Sequence, residues 1–168
     1  MTALGAFWAQ PCRRYRNFQI VFTVLTLNFV IPATIYTAAP EVALGQFLEL
    51  NALLGGSAYN YPEAGSRVWR YLAAANVMTL GLSCLLLQLD LRRLYAVLYP
   101  LTFMKFYAAA CWLVGWIHAP GYRFFLAAAI LDFVTCAAFV GFATGAKREI
   151  DAHPDRPLVP RPWSERRP

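Results

Sequence analysis

Charge is scarce in this chain. Asp, Glu, Lys and Arg make up 14% of its 168 residues, against about 25% in a soluble globular domain. Histidine is scarcer still, with only His118 and His153, so no pair lies within an apolar run to ligate a haem. None of Cys12, Cys84, Cys111 and Cys136 belongs to a CxxC pair, which removes the recognisable patterns for structural zinc and for thiol–disulfide chemistry. The glycine-rich phosphate loop, the HExxH zinc helix and the nucleophilic serine elbow are missing too. No catalytic residue, metal or cofactor is therefore assigned.

What the chain has in excess is apolar material, 59% of residues, where soluble domains hold about 45–50%. A larger core cannot absorb the surplus, because a small domain has proportionally more surface to cover with polar groups. A bilayer can. The net charge of +6 would suit nucleic acid only if the cations shared one solvated face. Here they fall between and beyond apolar runs, as orientation signals and contacts for anionic lipid do, and nucleic acid is set aside as a partner.

Four runs reach the length of about 20 residues that crosses a hydrocarbon core of roughly 30 Å. They cover 18–39, 68–89, 94–117 and 124–144. Arg13, Arg14 and Arg16 before the first resemble a signal peptide. The run exceeds the usual signal core, however, and its small-residue exit meets Pro40, so it reads as a retained span. The third run closes at the turn signal His118-Ala119-Pro120-Gly121, and the fourth ends at Gly145 before Lys147 and Arg148, a normal helix C-terminus.

Between the first two spans, Val42, Leu44, Phe47, Leu48, Leu50, Leu53 and Leu54 recur at partly helical spacing among Glu41, Gln46, Glu49 and Asn51. A short interfacial amphipathic helix over 41–54 fits that pattern, with Tyr59, Tyr61 and Trp69 as interface anchors. The expected fold is an all-α, membrane-embedded four-helix bundle over 18–145. Residues 1–17 form a cytoplasmic segment, and the proline-rich basic stretch 146–168, with Trp163 its one large apolar residue, is expected to be a disordered cytoplasmic tail. With the N-terminus inside, the cytoplasmic segments hold Arg13, Arg14, Arg16, Arg92, Arg93, Lys147, Arg148, Arg156, Arg161, Arg166 and Arg167, and the outer ones only Arg67, Arg70 and Arg123. That bias predicts both termini in the cytoplasm and a plasma (inner) membrane location.

Strongly polar residues inside the spans carry whatever chemistry there is. Lys105 sits in the third span and Asp132 in the fourth; a charge at mid-bilayer costs at least about 2.5–3.5 kcal/mol, so such residues face the bundle and find partners. Counted from the outer ends of their spans at about 1.5 Å per residue, Lys105 lies roughly 18 Å deep and Asp132 roughly 12 Å. A lysine side chain bridges that difference, and spans joined by a short loop are neighbours, so a Lys105–Asp132 ion pair is expected. By the same count Asn28 lies about 16 Å deep and Asn76 about 12 Å. Pro32 removes the amide that would have bonded the Asn28 carbonyl. Asn28, Asn76, Lys105 and Asp132 thus form one polar layer, either interhelical glue or a ligand, ion or proton site. Three alanine triplets, Ala73–Ala75, Ala108–Ala110 and Ala127–Ala129, predict close helix packing just above it.

The order of features is similar to that of small four-helix membrane proteins of the DoxX-like kind. The resembling pieces are a first span ending at Ala39-Pro40-Glu41, Arg67-Val68-Trp69-Arg70 opening the second, Arg92-Arg93 at a turn, Lys105 in the third span and Asp132 in the fourth. Some members of that group are accessory subunits of redox complexes, including a quinol oxidase, so the resemblance implies a non-catalytic, accessory role beside a larger membrane complex. Three functions stay open: that accessory or structural role, which the sequence favours; a binder or enzyme for a lipid-soluble small molecule; and a proton or ion carrier working through the Lys105–Asp132 pair.

Overall fold

The computed structural model of the protein describes residues 10–58 and 63–158, with side chains described from Trp69 onward in the second stretch. Five helices of two turns or more occupy them: α1 (Arg13–Ala38), α2 (Pro40–Leu53), α3 (Glu63–Leu89), α4 (Leu98–His118) and α5 (Phe124–Ala152). No strand occurs among the described residues. Four segments, Arg13–Ala38, Trp69–Leu89, Leu91–His118 and Phe124–Ala152, are long and apolar enough to cross a membrane. Large apolar side chains such as Leu27, Ile31, Leu82, Phe103, Val114 and Val134 lie on the outside of the bundle. In water so continuous an apolar surface would drive association; against lipid it is the expected exterior. The protein is a multi-pass, all-α membrane bundle.

α1 is the central staple. It packs most extensively on α3 and also on α5, α5 packs on α4, and α3 touches α4 only sparsely. The core sits toward the end of the bundle where α1 starts and α5 finishes, called here the terminal end. There Tyr15, Phe18, Phe22 and Phe29 recur at three-, four- and seven-residue steps, which place them on one helix face. Their rings run as a chain, with centroids 5.8 Å apart for Tyr15–Phe18 and 4.4 Å for Phe18–Phe22. Phe139 of α5 closes it at 5.7 Å from Phe22 and 6.2 Å from Phe29. Gly81 lets α3 approach α1, since a Cβ there would come within 2.8 Å of Val30 Cγ2.

Three sequence expectations shift. The third span was expected from Leu94, but α4 begins at Leu98, after a single helical turn Leu91–Leu94 and a 3₁₀ turn Tyr95–Val97. Pro100 lacks the N–H that would bond the Ala96 carbonyl, and its ring crowds that oxygen, which disfavours a regular α-helix running through from Leu94. The buried Asp90 caps the first turn by accepting from Arg93 N–H at 3.1 Å. The tail was expected to be disordered from Ala146, yet α5 stays helical through Ala152, and Ala146, Ile150 and Leu158 are buried. Apolar residues at 146 and 150 continue the helix's inward face, which the proline content further on obscured. Residues 159–168, with Trp163, lie outside the described residues, as do Tyr59 and Tyr61. Trp69 is 71% exposed.

The third shift concerns the alanine triplets. Ala74, Ala109 and Ala129 are buried, but Ala73, Ala108, Ala127 and Ala128 line open space. Consecutive residues point about 100° apart on a helix, so a triplet offers one residue to a neighbour and leaves the others facing elsewhere. The half of the bundle expected to pack tightly instead holds a cavity.

The short helix α2 is present as expected and lies across that end. Its exposed side mixes Val42, Leu50 and Leu53 with Gln46 and Glu49, while Ala43 and Asn51 are buried. Asn51 fastens it to the rest. Its Oδ1 accepts from Phe124 N–H at 3.2 Å, capping α5, and its Nδ2 donates to the Ser57 carbonyl at 2.8 Å. Arg123 Nη1 donates to the Leu54 carbonyl at 2.9 Å, and Ser57 N–H to the Gly121 carbonyl at 2.8 Å. Gly55 turns the chain here with φ of 72°, a conformation glycine adopts without strain.

Candidate functional site: a cavity in the membrane half nearest α2

Lys105 and Asp132 meet as the sequence predicted. Lys105 Nζ donates to Asp132 Oδ1, and the two side chains are 14% and 8% exposed. The ammonium also stands 5.0 Å from the centroid of the Phe29 ring, where the ring's negative face attracts it. α4 and α5 bring the pair together because they are antiparallel neighbours with a short turn at His118–Phe124.

Asn28 and Asn76 reach the same place from α1 and α3. All four residues line one cavity of about 750 Å³, together with Pro32, Tyr36, Val77, Leu80, Met104 and Trp112 among others. Each helix contributes at helical spacing: Asn28, Pro32 and Tyr36 from α1, and Ala73, Asn76, Val77 and Leu80 from α3. One face of each helix therefore forms the wall. α3 and α4 both line the cavity yet barely touch one another. A seam is left between them, and Asn28 and Asn76 both line the cavity and are solvent-accessible.

The two amides differ from Gln88 in one respect. Gln88, near the far end of α3, uses its whole side chain: Oε1 accepts from Thr23 Oγ1 at 2.7 Å, and Nε2 donates to Thr26 Oγ1 at 3.0 Å and to the Cys84 carbonyl at 3.2 Å. That is interhelical glue of the kind that holds membrane bundles. The side chains of Asn28 and Asn76 make no hydrogen bond to any described residue. An amide kept from hydrogen bonding in apolar surroundings is costly, so the layer expected at one depth divides into a closed ion pair and two open amides.

Sequence reading did not find the Gln88–Thr23–Thr26 network, although Gln88 is an amide in an apolar run like the two asparagines. It also missed an aromatic collar. Phe47 of α2 stands 5.7 Å from Tyr36 and 4.9 Å from Phe124, and Trp112 stands 5.9 Å from Phe124. Beyond the collar lies a second chamber of about 280 Å³, reached by Ala43, Trp69, Arg70 and Phe125. Tyr36, Phe47, Ala73, Val77, Trp112 and Phe124 line both spaces, so the two adjoin. Arg70 Nη1 pairs with Glu41 Oε1 at 3.4 Å beside it. The signal in the sequence was an aromatic residue near the same end of several helices. No protein-family model, curated protein or solved structure matches the chain.

Proposed function

We propose that this protein binds a lipid-soluble small molecule in the cavity between α1, α3, α4 and α5. One observation carries the reading: four helices deliver Asn28, Asn76, Lys105 and Asp132 to a single space of about 750 Å³, and the side chains of two of the four have no hydrogen-bond partner among the described residues. Small-molecule sites are typically clefts of about 300–1,000 Å³ with apolar walls and a few convergent polar groups. The cavity has that size and that wall chemistry, and its seam faces the phase in which such a molecule dissolves.

The placement of cations supports an orientation with both termini in the cytoplasm and the α2 end outside, and we infer a plasma (inner) membrane location. The ligand then sits in the outer half of the bilayer. The DoxX-like layout supports the same four-span arrangement and suggests proximity to a larger membrane complex.

Purification from native membranes followed by small-molecule mass spectrometry tests the proposal. A stoichiometric small molecule should accompany the wild type and be lost from Ala108→Phe, which fills the cavity. Stoichiometric protein partners with no small molecule would return the protein to the accessory role. A pH-driven flux in liposomes that Asp132→Asn abolishes would instead make it a carrier.

A further inference from the structure

We infer that the ligand of this cavity is a neutral amphiphile whose head group carries both a hydrogen-bond donor and an acceptor, held by the Asn28 and Asn76 amides. The inference rests on the proposed binding function and adds the ligand's charge class and the residues that read its head.

The charge argument comes first. Lys105 and Asp132 are the charged side chains among the described residues lining the cavity, and each already neutralises the other. An anionic head that took the ammonium from Asp132 would leave a carboxylate unpaired among Phe29, Leu131 and their apolar neighbours, and one that shared it would bring a second negative charge beside that carboxylate. A cationic head would strand Lys105 in the same way. Breaking a buried pair by taking away one partner is strongly unfavourable, so the site rejects both signs. The closed pair acts as a charge filter.

The hydrogen-bonding argument selects the head. Each asparagine offers an NH₂ donor and a carbonyl acceptor, and neither is used among the described residues. Pro32 leaves the backbone carbonyl of Asn28 without its helical donor, which adds an acceptor in the same layer. A head that only accepts, such as an ether, would leave acceptors unanswered. A hydroxyl, a primary amide or a similar neutral group answers both kinds. Burial of such groups is tolerated only when they pair, so recognition of the head follows from the requirement that the amides be satisfied.

The walls select the body. Phe29, Val77, Leu80 and Met104 surround the polar layer, and the collar of Tyr36, Phe47 and Trp112 leads to the second chamber of about 280 Å³ under α2. A slender apolar body has two ways to run from the head, through the collar or out of the α3–α4 seam into lipid.

The test uses the full chain in phosphatidylcholine nanodiscs with three ω-bromo dodecyl probes: the primary amide, the sulfonate and the ammonium. Bromine quenches indole fluorescence, and Trp112 lines both chambers, so saturable quenching that disappears in Trp112→Phe reports occupancy. The amide probe should bind at least about tenfold more tightly than either charged probe. Asn28→Leu combined with Asn76→Leu should remove that preference; neither side chain bonds to a described residue, and an unchanged helical melt would verify that the fold survives. Asp132→Asn, which leaves Lys105 charged, should move the preference to the sulfonate, and Lys105→Gln should move it to the ammonium. A wild type that prefers a charged probe would overturn the inference while leaving a binding site in place. An amide preference that survives loss of both asparagines would overturn their assignment. If no probe saturates, the binding function falls with it.

Discussion

At the scale of single residues, a bilayer penalises a polar group left without a partner. Lys105 and Asp132 avoid that penalty by pairing across α4 and α5, with both side chains largely buried. A single replacement leaves the other charge alone in apolar surroundings. Lys105→Met or Asp132→Leu should each destabilise the bundle by about 3–5 kcal/mol. The double replacement removes both desolvation costs with the attraction, and should cost less than either single change. Unfolding by denaturant in mixed micelles would measure all three, and a purely additive double mutant would show that the two side chains are not coupled. Gln88 makes the contrasting case. Its bonds to Thr23, Thr26 and the Cys84 carbonyl tie α1 to α3, so Gln88→Leu should cost about 0.6–1.7 kcal/mol, the range for membrane interhelical hydrogen bonds. Ligand occupancy of the cavity should not change.

At the scale of elements, the N-termini of α1 and α5 are satisfied by other helices rather than by their own flanks. α1 has no cap from the Cys12 side chain. Instead Glu149 of α5 places Oε2 against the N–H groups of Arg14, at 2.7 Å, and Tyr15, at 3.1 Å. The carboxylate both accepts from orphan donors and complements the positive end of the helix dipole. In return Arg92 donates to the Ile150 carbonyl at 2.8 Å, near the negative end of α5. Glu149→Ala should cost about 0.5–2 kcal/mol, as loss of an N-cap does, and Glu149→Gln should recover part of it because the amide oxygen still accepts. Thermal melts of the two variants would order them. Asn51 does the equivalent work at the α2 end, where Phe124 N–H and the Ser57 carbonyl share its side chain. Asn51→Leu should loosen α2 and raise amide hydrogen exchange over Pro40–Leu53 without altering the exchange of α1.

Neither cap was legible in the sequence, and the reason is physical. Lengths and positions of the spans follow from local composition, because the bilayer fixes how many apolar residues a helix needs. The Lys105–Asp132 pair was legible because two rare charges fell on adjacent spans at matching depth. Glu149 meeting Arg14, or Asn51 meeting Phe124, depends on which helices are neighbours across the bundle. The cavity depends on that too. Ala73, Ala108, Ala127 and Ala128 look like packing residues until the order α3–α1–α5–α4 shows that α3 and α4, which carry two of the triplets, hardly meet. Small side chains opposite a missing neighbour make a void, not a contact. The open space beside the unpaired amides is therefore a property of the arrangement, while the amides themselves were visible at once.

At the scale of the whole molecule, the bundle is built unevenly, and the unevenness has a direction. Phe18, Phe22, Phe139, Leu87 and Ile150 are fully buried toward the terminal end, whereas the α2 end encloses two adjoining spaces. The well-packed end holds the helices in register, and the other end is free to keep a cavity open. The proposed orientation puts the packed end in the cytoplasm and the cavity in the outer leaflet half. A membrane-impermeant maleimide applied to intact cells checks this directly. Cysteine placed at Ser57, which is exposed beside α2, should react from outside, and cysteine at Asp155, exposed after α5, only after the membrane is permeabilised. Background from the native thiols is expected to be low, because Cys12 and Cys84 are buried and Cys111 and Cys136 lie within membrane-spanning helices. Labelling of Asp155→Cys in intact cells would invert the topology and move the cavity to the inner leaflet, leaving its ligand to be sought on the cytoplasmic side.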